Sequence, residues 1–212
     1  MASFLRRPLR YRYYNATIIL IVVNILIFLF SYYVDRRGVS TIFLLRPSDV
    51  FQGGAWWQVV TYMFFHAGWS HLFLNMLALF MFGIQLEQRM GSTEFLLYYF
   101  FSGICAGIAT ALLFEAMGLG NAYMLGASGA IFAVMLAFAA FFPDARIFVL
   151  GILPMRAPTL VAVYAGIEIF SQLINPRSGV AHLAHLTGLA FGYVYLVVRY
   201  GMNPIAVFFQ RK

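Results

Sequence analysis

A chain of 212 residues in which 63% are hydrophobic and only 10% charged carries less than half the charge of an ordinary soluble domain. With a mean hydropathy of +0.84, it excludes a soluble enzyme and predicts an integral membrane protein of one domain. The net charge of +7 does not point to nucleic acid, because Arg6, Arg7, Arg10 and Arg12 crowd ahead of the first apolar run, where basic flanks set membrane orientation.

In chain order, residues 1–15 read as a basic cytoplasmic N-terminus. The first helix is expected over about Ala16 to Tyr33. It is too long for a signal peptide and no small-x-small cleavage site follows, so it should stay as a membrane helix. Residues 34–70 form a long connection holding Arg36, Arg37, Arg46, Gly53-Gly54 and Trp56-Trp57. Its apolar stretches and paired tryptophans predict that it lies partly in the membrane interface. The second helix is expected over His71 to Leu86 and the third over Phe95 to Met117. Between them, Glu87 to Gly91 reads as a cytoplasmic hydrogen-bonding turn, and the aromatic-rich 95–101 stretch as a packing or lipid-facing surface. The fourth helix begins near Ser128, after the uncharged 118–125 connection, and residues 142–156 read as a turn region. The fifth helix covers about Ala157 to Leu173, the 175–179 segment is a turn, and the sixth helix covers about Val180 to Tyr200. The expected architecture is an all-α, six-helix, multi-pass domain over 16–200, with a cytoplasmic tail at 201–212. The basic N-terminus places both termini inside a plasma (inner) membrane, although Arg36, Arg37 and Arg46 outside weaken that charge signal. Cys105 is the single cysteine, so neither a disulfide framework nor a metal-type cysteine pair is expected.

The chemistry gathers around Gly126-Ala127-Ser128-Gly129-Ala130. The apolar run after it, Ile131 to Phe142, is about 12 residues, too short to cross a hydrocarbon core of ~30 Å. A serine at the start of such a helix would sit below the membrane surface. Six crossings make helices two, four and six run in one direction, so His71 and Asn75, Ser128, and His182 and His185 all begin helices at one depth. Ser128 is the candidate nucleophile and His185 the candidate base. The free N–H groups of a helix start favour negative charge beside the serine. Gly126 and Gly129 allow close approach, and Gly188 and Gly192 follow His185 as Gly-x-x-x-Gly, the spacing that lets a partner helix come close. His71 and Asn75, four apart on one face, suit oxyanion donors better than a metal site. No acid is near enough in sequence to place a third triad member. A spatial neighbour stays open.

These motifs, His71-Leu72-Phe73-Leu74-Asn75, Gly126-Ala127-Ser128-Gly129 and Ala184-His185-Leu186-Thr187-Gly188 with Gly192, resemble those of rhomboid intramembrane serine proteases in their basic six-helix bacterial form. The resemblance covers about Gly53 to Tyr200. It implies a Ser128–His185 dyad, an oxyanion hole of His71, Asn75 and the Ser128 N–H, substrates that are transmembrane segments of other proteins, and no metal or cofactor. The chain departs from the family pattern at Gln58, where an arginine is common, and at Phe132, where many members carry tyrosine. Phe132 is still expected to pack on His185. His66 reads as structural support for the loop, His182 as a loop or interface histidine, and Glu168 as turning outward toward Arg177. Two alternatives remain: a catalytically silent relative that binds membrane clients, and a metal-dependent enzyme or transporter using His66, His71, His182 and His185. Oligomeric state is not readable.

Overall fold

The computed structural model describes residue 6 and residues 9–35, 38–149, 151–174 and 180–209. Arg7, Arg36, Arg37, the 175–179 turn with Arg177, Arg211 and Lys212 lie outside the described residues.

Among the described residues, six long helices carry the chain. They are α1 (Ala16–Val34), α2 (Trp69–Met90), α3 (Ser92–Ala116), α4 (Ser128–Phe141), α5 (Ala157–Ile174) and α6 (Val180–Tyr195, continuing through Leu196–Tyr200). Of these, α1, α2, α3 and α5 are long and apolar enough to cross a membrane. With 14 residues, α4 is roughly 21 Å long. The all-α expectation misses one element. Within the expected turn region, Arg146–Val149 (β1) and Leu153–Arg156 (β2) pair antiparallel. Gly151 turns the hairpin at φ +73°, a conformation that glycine adopts without steric cost.

The core is built around α4. Eleven of its fourteen residues are buried, as expected of a helix apolar on every side. It packs closely against α6, with α3 completing the contact. Small residues make this possible. A Cβ on Gly188 would lie 2.1 Å from the Gly129 carbonyl oxygen, and one on Gly192 would lie 2.7 Å from the Ala133 Cβ. Since 129 meets 188 and 133 meets 192, α4 and α6 run parallel. His71 lies beside Gly126 and the Phe82 ring lies 5.1 Å from that of Phe138, so α2 runs the same way. The three helices therefore begin at one end of the bundle.

Polar ties close the opposite end. Glu87 is 1% exposed and accepts from the Ala16 and Thr17 N–H groups at 2.7 and 2.9 Å and from the Ser92 hydroxyl. It caps the start of α1, where a carboxylate meets free N–H groups and the positive end of the helix dipole. The expected hydrogen-bonding turn at 87–91 is thus a cap on another helix. Arg199 makes a two-pronged ion pair with Glu94, at 2.7 and 2.8 Å, and the Tyr195 hydroxyl donates to the same carboxylate. In the aromatic stretch, Phe95, Tyr98 and Tyr99 are fully buried, while Leu97 and Phe101 face outward.

Candidate active site

Residues 38–68 of the long connection fold over the end where α2, α4 and α6 begin. Leu45 and Met124 exchange backbone hydrogen bonds at 3.0 and 2.8 Å. Gln58, 2% exposed, accepts from the Arg46 N–H at 3.0 Å and donates to the Ile42 carbonyl at 3.2 Å. An arginine is not needed to hold this loop, because the glutamine amide satisfies both a donor and an acceptor within it. The Gly126 N–H then bonds to the Tyr62 carbonyl at 3.0 Å, fixing the turn into α4.

Ser128 is the first residue of α4. The first bond of the helix runs from Ile131 N–H to the Ala127 carbonyl at 3.0 Å, leaving the N–H groups of Ser128, Gly129 and Ala130 without an acceptor inside the helix. Gly126 has φ +119°. A Cβ there would stand 2.9 Å from His71 Nε2 and 3.8 Å from Ser128 Oγ. The missing side chain is what lets imidazole and hydroxyl approach the same small volume. That volume is a cavity of about 190 Å³ lined by His71, Ser128, Gly126, Tyr62, Ala184 and residues 123–125.

His71 Nδ1 accepts from the Ala67 N–H at 3.4 Å. A neutral ring then carries its hydrogen on Nε2, the nitrogen beside Gly126. Asn75 lies one turn further on and donates one amide hydrogen to the His71 carbonyl at 2.8 Å. Its second amide hydrogen has no bond to that carbonyl, and Asn75 does not line the cavity. His66 is 6% exposed with its ring edge-on to His71 at 5.0 Å, supporting His71 from behind. Burial, and secondly the nearby His71, push the His66 pKa down from 6.5 to about 4.

His185 stacks on Phe132, with ring centroids 4.2 Å apart and planes 9° from parallel. Phe132 stands one turn after Ser128 on α4, so the stack holds the imidazole over the serine's face of the helix. The Phe132 ring also meets Tyr164 of α5 edge-on at 6.2 Å. Gly129 admits the α6 backbone: a Cβ there would lie 3.1 Å from the Ala184 carbonyl oxygen.

Glu168 corrects the sequence reading. It does not turn outward. It is 7% exposed and faces α6, where His185 Nδ1 lies 2.9 Å from its Oε1 and His182 Nδ1 bonds its Oε2. A carboxylate at this depth needs partners, and two imidazole N–H groups supply them. His182 is accordingly a carboxylate partner, not a free interface residue. The three ligand atoms lie within 4.8 Å of one another, a spacing that can admit a metal ion, but hydrogen bonds already join the groups directly. His66 and His71 form a separate pair on the loop side. Sequence alone did not reveal the carboxylate's direction. The only signal was its unexplained presence in an otherwise apolar span.

The Rhomboid domain family matches residues 53–201, about 70% of the chain. The chain belongs to the rhomboid family. It is 30% identical over 143 residues to the putative rhomboid protease YdcA of Bacillus subtilis, covering 66% of each chain. It is 33% identical over 118 residues to rhomboid-like protein 11, chloroplastic, of Arabidopsis thaliana, covering 56% of this chain and 39% of that one. It is 33% identical over 123 residues to the rhomboid protease GluP of Bacillus subtilis, covering 55% of this chain and 22% of that one. The chain thus spans less than two thirds of the length of most of these relatives. As a rhomboid with four long apolar helices, it is a multi-pass membrane protein.

Proposed function

We propose that this rhomboid is an intramembrane serine endopeptidase that cleaves transmembrane segments of other membrane proteins. The observation that carries the reading is the convergence of three parallel helix starts. Ser128 opens α4 beside His71, and His185 is held over the next turn by Phe132. Ser128 Oγ attacks the scissile carbonyl and passes its proton to His185, which then protonates the leaving amine. Water hydrolyses the resulting acyl-enzyme with His185 acting first as base. The oxyanion is met by the Ser128 N–H, by Nε2–H of His71 and, after a small movement, by the second amide hydrogen of Asn75, the kind of fixed donors that stabilise such a charge. Gly129, Gly188 and Gly192 support this geometry by bringing α4 and α6 together, and His66 supports His71. The chemistry uses no metal or cofactor. The proposed setting is a plasma membrane crossed six times, with both termini in the cytoplasm and the site opening to the other side.

The test is cleavage of a transmembrane reporter in proteoliposomes. Ser128→Ala and His185→Ala each abolish cleavage, and Cys105→Ala leaves it unchanged. Cleavage retained by Ser128→Ala would sink the proposal. A folded wild-type protein whose Ser128 resists a fluorophosphonate probe would instead identify a silent client binder.

A further inference from the structure

Along α5, Ile167, Ile169 and Phe170 are half or more exposed, so this face of the helix is apolar and turned outward. Glu168, between them, is turned in. Both of its oxygens are engaged, Oε1 by His185 and Oε2 by His182. An ionised carboxylate only accepts hydrogen bonds. The hydrogen of a neutral His185 is therefore on Nδ1, and the lone pair is on Nε2, at the opposite edge of the ring. That is the tautomer a base needs. The Phe132 stack fixes the plane of the imidazole, and Glu168 fixes its rotation within that plane. His182 holds the far oxygen, so the carboxylate itself has one orientation.

Resting on the protease reading above, we infer that Glu168 is a positioning residue for His185, so that Ser128, His185 and Glu168 form a triad whose third member comes from α5. In the attack step the Oγ–H bond breaks, the Oγ–carbon bond forms as the carbonyl π pair moves to its oxygen to give the oxyanion, and the proton moves to Nε2. The hydrogen on Nδ1 stays there and Glu168 stays a carboxylate, stabilising the imidazolium. Among the described residues, the other charged or titratable groups near His185 are His182 on its own helix and His71 from α2, which is close enough to interact with it electrostatically. Both are bases, so Glu168 supplies the only negative charge among these neighbours.

Two readouts test this. In reporter cleavage, Glu168→Gln keeps the size of the side chain but can turn an amide N–H to Nδ1. It is expected to lower kcat by about 10²- to 10⁴-fold with KM within about twofold, and Glu168→Asp is expected to restore part of the loss. The second readout is independent of cleavage. Histidine ¹⁵N NMR of the wild type, assigned with His185→Gln, shows neutral His185 as the Nδ1–H tautomer, and Glu168→Leu depletes that tautomer. A wild-type His185 protonated on Nε2 overturns the inference whether or not the protein cleaves. Wild-type kcat in a folded Glu168→Gln overturns it while leaving Ser128 and His185 as the active pair. Activity lost on chelation and restored by zinc also overturns it, because the same three ligand atoms would then serve a metal.

Discussion

Gly126 is where a single atom decides the chemistry. At φ +119° an added methyl group is strained, and it would meet His71 Nε2 at 2.9 Å. Gly126→Ala is expected to cost about 1–3 kcal/mol and, by displacing His71, to slow fluorophosphonate labelling of Ser128 at least about tenfold. Labelling at the wild-type rate would show that His71 is not a donor. His66 makes a pH prediction. Its pKa of about 4 when folded, against 6.5 ordinarily, means that an unfolded chain binds a proton the folded one refuses. Stability is full above pH 6.5 and falls as pH drops from there to about 4. Thermal unfolding at pH 7 and pH 4.5 should show this loss, and His66→Asn should reduce it. The candidate residues Ser128, His71 and His185 could be named from the sequence because each motif carries a chemical type at a fixed local spacing. Glu168 was not, because its partners stand 14 and 17 residues away on another helix, and no local rule relates the two faces.

Among the elements, the α4–α6 pair depends on absent side chains. Gly188→Ala would drive a methyl group against the Gly129 carbonyl, a backbone atom that cannot rotate away. The expected cost is at or above the ~3 kcal/mol end of overpacking, with loss of cleavage. Separation of α4 from α6 would also move His185 off Phe132. Thermal unfolding in detergent, read beside the labelling rate, checks both, and a variant with unchanged stability would show that the helices are not in the contact described. The Gly-x-x-x-Gly spacing made this pairing readable from the chain. The hairpin at 146–156 was not, because four-residue strands carry too little periodicity to stand out from a turn. Glu87 was misread in part for the reason that hid Glu168: a cap on α1 lies 70 residues away.

At the scale of the whole molecule, the end remote from Ser128 is tied by charge. Glu94 and Arg199 join the start of α3 to the end of α6 with side chains 6% and 17% exposed. Arg199→Ala leaves a buried carboxylate without its counter-ion and is expected to cost about 3–5 kcal/mol. The labelling rate of the protein that remains folded should stay within about twofold, because the pair lies at the opposite end of α6 from His185. A much slower rate would show that the ends of the bundle are coupled. The burial of α4 has a consequence for the lipid. Helices that touch the bilayer adjust to its thickness by tilting, and α1, α2, α3 and α5 all present apolar residues outward. Sheathed by its neighbours, α4 has almost no lipid contact of its own. Thicker or thinner bilayers should therefore tilt the surrounding helices while the depth of Ser128 is kept by its protein surroundings. Ser128 takes its position from the bundle, as a piston takes its position from the cylinder around it.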